Sequence, residues 1–97
     1  MAVEYNNGDG PYLAWLEANP TAYVLNTGRS HPPEYMVLHR ANCPSISVLV
    51  RPARPGGFTE RDYVKVCSDS VADLSAWVRQ HGRPSGSFSK RCPRCNP

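Results

Sequence analysis

Apolar positions along the chain recur in two rhythms, one of helical and one of strand period. Behind Gly8-Asp9-Gly10-Pro11, the residues Tyr12, Leu13, Trp15 and Leu16 recur at helical spacing. Asp9 or Gly10 stands near the cap and Pro11 at the first helical position, where a missing N–H costs nothing, and Asn19-Pro20 ends the run. Residues 21–27 and 34–40 then read as strands around a turn at 28–33 rich in Gly and Pro, so the pair predicts a hairpin that delivers His39 at its far end. Residues 51–57 hold two prolines and two glycines and predict a loop. Tyr63, Val64 and Val66 predict a third strand over 62–68. Ser70 and Asp73 resemble a capping box opening a second helix through His81, closed by Gly82. Val71, Leu74, Trp77, Val78 and His81 would form its buried face, while residues 83–97 show no period and need an outside constraint. The expected fold class is therefore α+β, a small antiparallel sheet with two helices. Trp15 and Trp77 are expected in the core, whereas Tyr12, Tyr23, Tyr35 and Phe88 have no assigned place.

Length turns that pattern into a stability problem. A chain of 97 residues makes one domain, and such a domain buries only about 60–65% of the surface its unfolded chain exposes. A cross-link would help it. No apolar run approaches the roughly 20 residues of a membrane helix, and Glu4 stands where a signal peptide would be basic, so the expected compartment is the cytoplasm. Thiols stay reduced there, and four cysteines in so short a chain point to a metal ion ahead of disulfides.

Cys92-Pro-Arg-Cys95 has the spacing that lets two thiolates at one tight turn reach a single tetrahedral ion. A thioredoxin-type redox pair shares it, but that motif opens a helix, and only Asn96 and Pro97 follow Cys95. His39-Arg-Ala-Asn-Cys43 supplies a second half-site at a strand end. Together they make a zinc site of one histidine and three cysteines: His39, Cys43, Cys92 and Cys95. Cys67 leaves an all-cysteine set open, against its other reading as a small buried hydrophobe. His31 and His81 read as surface or helix-end residues. Four protein ligands close the site to a catalytic water, and no Ser/His/Asp order, phosphate-binding Gly loop or carboxylate pair is present in the sequence, so the zinc is expected to be structural and the chain no enzyme.

The order of a Leu-His-x3-Cys strand end, a strand, an apolar helix, a Gly and Cys-Pro-x-Cys-x-Pro resembles the metal-binding domain of the Ada DNA-repair family and the small Ada-like zinc modules attached to bacterial restriction nucleases. The resemblance runs from about residue 35 to 97, over a longer stretch between Cys43 and Cys92 than in Ada. It implies the ligands His39, Cys43, Cys92 and Cys95. The nucleophilic cysteine that accepts a methyl group in Ada is here His39, so methyl transfer is not expected.

Charge adds to this. The net charge is +3, yet residues 1–38 set Glu4, Asp9, Glu17 and Glu34 against Arg29 alone, and the cations gather around the cysteines. Arg51, Arg54, Arg83, Lys90, Arg91 and Arg94 fall on expected loops, where they can approach the phosphates of double-stranded DNA. The expected function is zinc-stabilised DNA binding, with recognition of modified DNA in a modification-dependent restriction or defence protein implied by the resemblance and a partner or fused nuclease with it. A structural or protein-interaction zinc module is the alternative, and an Ada-like methyl acceptor a more distant one. The end of the chain two residues after the last candidate ligand suggests a module of a longer protein.

Overall fold

A computed structural model describes residues 1–47 and 56–97. Five strands, β1 (Val3–Tyr5), β2 (Tyr23–Gly28), β3 (Met36–Arg40), β4 (Tyr63–Ser68) and β5 (Lys90–Arg91), form one sheet in the order β1-β4-β2-β3-β5. Every pairing is antiparallel except that of β5 with β3. Three helices accompany them: α1 (Asp9–Ala18), α2 (Pro44–Ser47) and α3 (Val71–Gln80). The α+β class, the hairpin, the third strand and both longer helices stand as expected. The short α2, the edge strands β1 and β5, and the parallel β5 pairing are additions.

The sheet is covered on both faces, and the strand register decides which residue goes where. Leu25 lies opposite Leu38 on one side and Val66 on the other, so these three share a face, and with Met36 they pack against Leu74 and Val78 of α3. Ser70 caps that helix by accepting from the Asp73 backbone N–H, as the Ser-x-x-Asp spacing predicts. Gly82 follows with φ of +112°, and a Cβ there would meet Pro33 Cγ at 2.7 Å, so only glycine fits the turn.

The opposite face carries Val24, Val37 and Cys67, covered by Tyr12 and Leu16 of α1, Ile46 of α2 and Phe58. Tyr12 is fully buried and donates its hydroxyl to the Ile46 carbonyl at 2.6 Å, which places a residue the sequence had left unassigned. The cap of α1 differs from expectation: the N-cap is Gly8, and Asp9 turns away from its own helix. Its carboxylate accepts from the backbone N–H groups of Phe58 and Thr59 and from Thr59 Oγ1, tying α1 to the chain that enters β4. Arg29 acts as a second clasp, donating to the carbonyls of Arg61, Asn6 and Thr59. Among the described residues, no helix is long and apolar enough to cross a membrane.

Candidate metal centre

Strand β3 carries His39 as its penultimate residue, and a tight turn follows it, with the Cys43 N–H bonded to the Arg40 carbonyl at 3.0 Å. The turn swings Cys43 back beneath the strand, where α2 starts at Pro44. From the other end of the chain, β5 runs beside β3, and the Cys92 N–H donates to the Leu38 carbonyl at 2.9 Å. The turn over 92–95 then folds on itself, closed by the Asn96 N–H on the Cys92 carbonyl, with Asn96 in the left-handed region at φ +49°. The tail's missing constraint is thus a parallel pairing followed by this knuckle.

These two pieces bring His39, Cys43, Cys92 and Cys95 together, with one ligand atom from each lying within 4.8 Å of the others. The Cys43 and Cys92 sulfurs are 4.0 Å apart. Two thiolates on one tetrahedral ion at about 2.3 Å each would be roughly 3.8 Å apart, so the cluster is near the size a single metal requires. All four cysteines are free thiols, and Cys92 and Cys95 sit on a turn and open no helix, contrary to a redox pair.

Electrostatics and hydrogen bonding favour ligation. Burial, and after it the charge of Lys65, pushes the His39 imidazole down to about 4, so the ring is neutral and has a lone pair to give. Its Nδ1 is buried with no hydrogen-bond partner, an orphan that a metal ion on this ring would explain. Burial raises Cys92, yet the backbone N–H groups of Cys95 and Arg94 and the neighbouring thiols outweigh it and hold this thiol below its ordinary value. Cys95 is pushed up to about 11, mainly by burial, although the Arg40 N–H donates to its sulfur at 3.2 Å and opposes that rise. Amides aimed at sulfur stabilise thiolate, the form that binds metal. The residues present fit a metal ion.

Cys67 takes no part. It and His39 both lie opposite Val24, one on each side of β2, so the two share a face but are separated by a whole strand, about 9–10 Å. Its thiol packs in the core and burial pushes it up to about 12. The choice between His39 and Cys67 therefore falls to His39. His31 and His81 are also apart from the cluster, but neither is a plain surface residue. His81 stacks on Trp77 at 3.8 Å, and His31 packs edge-on against both rings with Nε2 3.2 Å from Glu4 Oε2.

The candidate DNA-contacting cations fall into three groups. Arg83 is bonded to the carbonyls of Ser87 and Pro33, holding the loop after α3. Lys90, Arg91 and Arg94 are exposed along β5 and the knuckle; Arg91 covers the Phe88 ring and donates to the Pro97 carbonyl. Arg51 and Arg54 lie outside the described residues. Arg40, the residue after His39, grips the tail by donating to the carbonyls of Cys95 and Asn96. Comparison with protein families, curated proteins and solved structures finds no match for this chain, so the reading of the centre rests on its own geometry.

Proposed function

We propose that the chain is a zinc-stabilised DNA-binding module that recognises modified DNA within a restriction or defence protein. Three thiolates and one imidazole are a soft, four-coordinate donor set of the kind that holds structural zinc, and with four protein ligands no position is left for a catalytic water. The observation that carries the reading is the company this centre keeps. The strand and knuckle that supply Cys92 and Cys95 also bear Lys90, Arg91 and Arg94, all exposed and with no acidic residue among them. The metal would fix the backbone from which those cations reach phosphate, and Arg51 and Arg54 belong to a second acid-free stretch of the sequence, residues 40–54. Methyl transfer is disfavoured by the imidazole of His39 and by thiolates already engaged with backbone N–H groups.

The test is duplex binding by the zinc-loaded protein across a salt series, with plain, base-methylated and phosphorothioate DNA. Four to six phosphate contacts predict a log–log salt slope of roughly −4 to −5. Arg91→Glu with Arg94→Glu should weaken binding and leave zinc in place. A modified duplex should bind more tightly than its plain counterpart at equal salt, because phosphate contacts carry no such information. No binding to any duplex at about 50 mM salt would favour the structural or protein-interaction module instead, since a basic patch has its largest advantage there.

A further inference from the structure

A cavity of about 240 Å³ adjoins the metal cluster and shares two of its residues, His39 and Cys92, and the strand register explains its chemistry. Val37 lies opposite Asn26 on β2 and opposite Lys90 on β5, so these three form a row across the sheet on one face. Tyr35 and His39 stand two residues to either side of Val37 along the chain and complete the floor. Pro93 of the knuckle makes part of the rim, so the loop that the metal holds is also a wall of this cavity.

Two of these groups are joined to each other, the Asn26 amide donating from Nδ2 to the Tyr35 hydroxyl at 3.4 Å. The Asn26 side chain lines the cavity, and its Oδ1 is buried with no hydrogen-bond partner. Tyr35 is 39% exposed, and the Tyr63 ring packs against its ring with centroids 5.6 Å apart. An orphaned amide acceptor, an exposed aromatic face, an apolar floor and one ammonium describe a site for a flat heterocycle with an amino group and a phosphate beside it. The volume lies below the range of about 300–1,000 Å³ typical of drug-sized ligands, which limits the occupant to one ring system.

We propose that this cavity receives a single amino-bearing base (adenine, cytosine or guanine) extruded from a DNA duplex, with Tyr35 stacking on the base, the Asn26 amide oxygen accepting from its exocyclic amino group, and Lys90 meeting the adjoining phosphate. The proposal rests on the DNA-binding reading above and supplies it with the place where a base, and a modification on it, is inspected. Thymine has no exocyclic amino group to offer the Asn26 oxygen.

Extrusion costs less at a mispaired base, so the zinc-loaded protein should bind a duplex with a central A·C mismatch about tenfold more tightly than its matched counterpart at the same salt. Tyr35→Ala and Asn26→Ala should each erase that preference, the mismatched duplex losing more affinity than the matched one, while keeping zinc and circular dichroism. Lys90→Ala should weaken both duplexes. A mismatch preference that survives Tyr35→Ala and Asn26→Ala, or equal binding of the two duplexes by the unaltered protein, overturns the pocket and leaves DNA binding standing. Absence of binding to any duplex overturns both. Deoxyadenosine monophosphate is the remaining probe: backbone amide shifts around Val37 on its addition, in a protein that binds both duplexes equally, would reassign the cavity to a free nucleotide and overturn extrusion.

Discussion

Cys43 and Cys67 belong to the same apolar cluster, both almost fully buried, and yet they do different things. Cys43 meets another sulfur at 4.0 Å, whereas Cys67 faces only side chains with nothing to share. Cys43→Ser should release the metal and unfold the domain, because a structural zinc contributes on the order of 10 kcal/mol. Cys67→Ser should keep a full complement of metal and cost on the order of 1–3 kcal/mol for the buried hydroxyl. Cys67 also predicts a pH signature. Its thiol is pushed from an ordinary 9.0 to about 12 by burial, so above pH 9 the unfolded chain gives up a proton that the folded one keeps. Stability from the protonated thiol is complete below pH 9 and is lost as pH rises toward 12, so the gap in melting temperature between the unaltered protein and Cys67→Ser should narrow with rising pH. Metal loss in Cys67→Ser with metal retention in His39→Ala would reverse the ligand assignment.

Among the elements, α1 depends on a residue whose partners are distant in sequence. Asp9 accepts from Phe58 N, Thr59 N and Thr59 Oγ1, the shortest of the three at 2.7 Å. Asp9→Ala leaves two backbone donors without their acceptor, a loss of roughly 2–4 kcal/mol and a fall in melting temperature of at least about 8 °C. Asp9→Asn keeps one acceptor oxygen and should recover part of that. A melting temperature unmoved by Asp9→Ala would mean that water replaces the carboxylate at no cost. Sequence spacing alone makes Asp9 a helix-cap residue, since nothing local announces a partner some fifty positions away. The same limit explains β1 and β5. Val3–Tyr5 and Lys90–Arg91 are too short to show a period of two, and each becomes a strand only because a longer one offers it an open edge. Elements with their own periodicity were legible as elements: α3 has its Ser70 cap and buries Leu74 and Val78, although Val71, Trp77 and His81 of the expected face are only half-buried. The ligand set was legible as two local pairs, Cys92 with Cys95 and His39 with Cys43. That Cys67 lies a strand away from His39 depends on sheet order, which spacing does not encode. Likewise the row Asn26, Val37, Lys90 joins three strands and exists only in register.

For the molecule as a whole, the candidate metal ligands join the start of the core to the end of the chain. His39 and Cys43 follow from the hairpin, Cys92 and Cys95 from the last strand, and no disulfide links any of the four. The parallel pairing that this junction secures has a consequence for association. On the side away from β2, the backbone of Met36, Val37 and Leu38 is met by the last segment, through bonds such as Ser89 N–H to the Met36 carbonyl and Cys92 N–H to the Leu38 carbonyl. That outer strand is only two residues long, too short to template another chain, and two cations, Lys90 and Arg91, occupy it. Remove the ion with a chelator and the cover is left with its two-residue pairing, the Ser89 bonds to Met36 and the Arg40 bonds to Cys95 and Asn96, and it is lost as the domain opens. What it would uncover is a contiguous apolar edge, three residues long, carrying unpaired N–H and C=O groups and no charge. Chelated protein should therefore self-associate edge to edge, seen as light scattering that rises with protein concentration and reverses on zinc addition, whereas chelated protein that stays monomeric would show the edge to be shielded by something other than the knuckle. A metal held there to stabilise the fold would then also keep one copy of the chain from adding itself to the next.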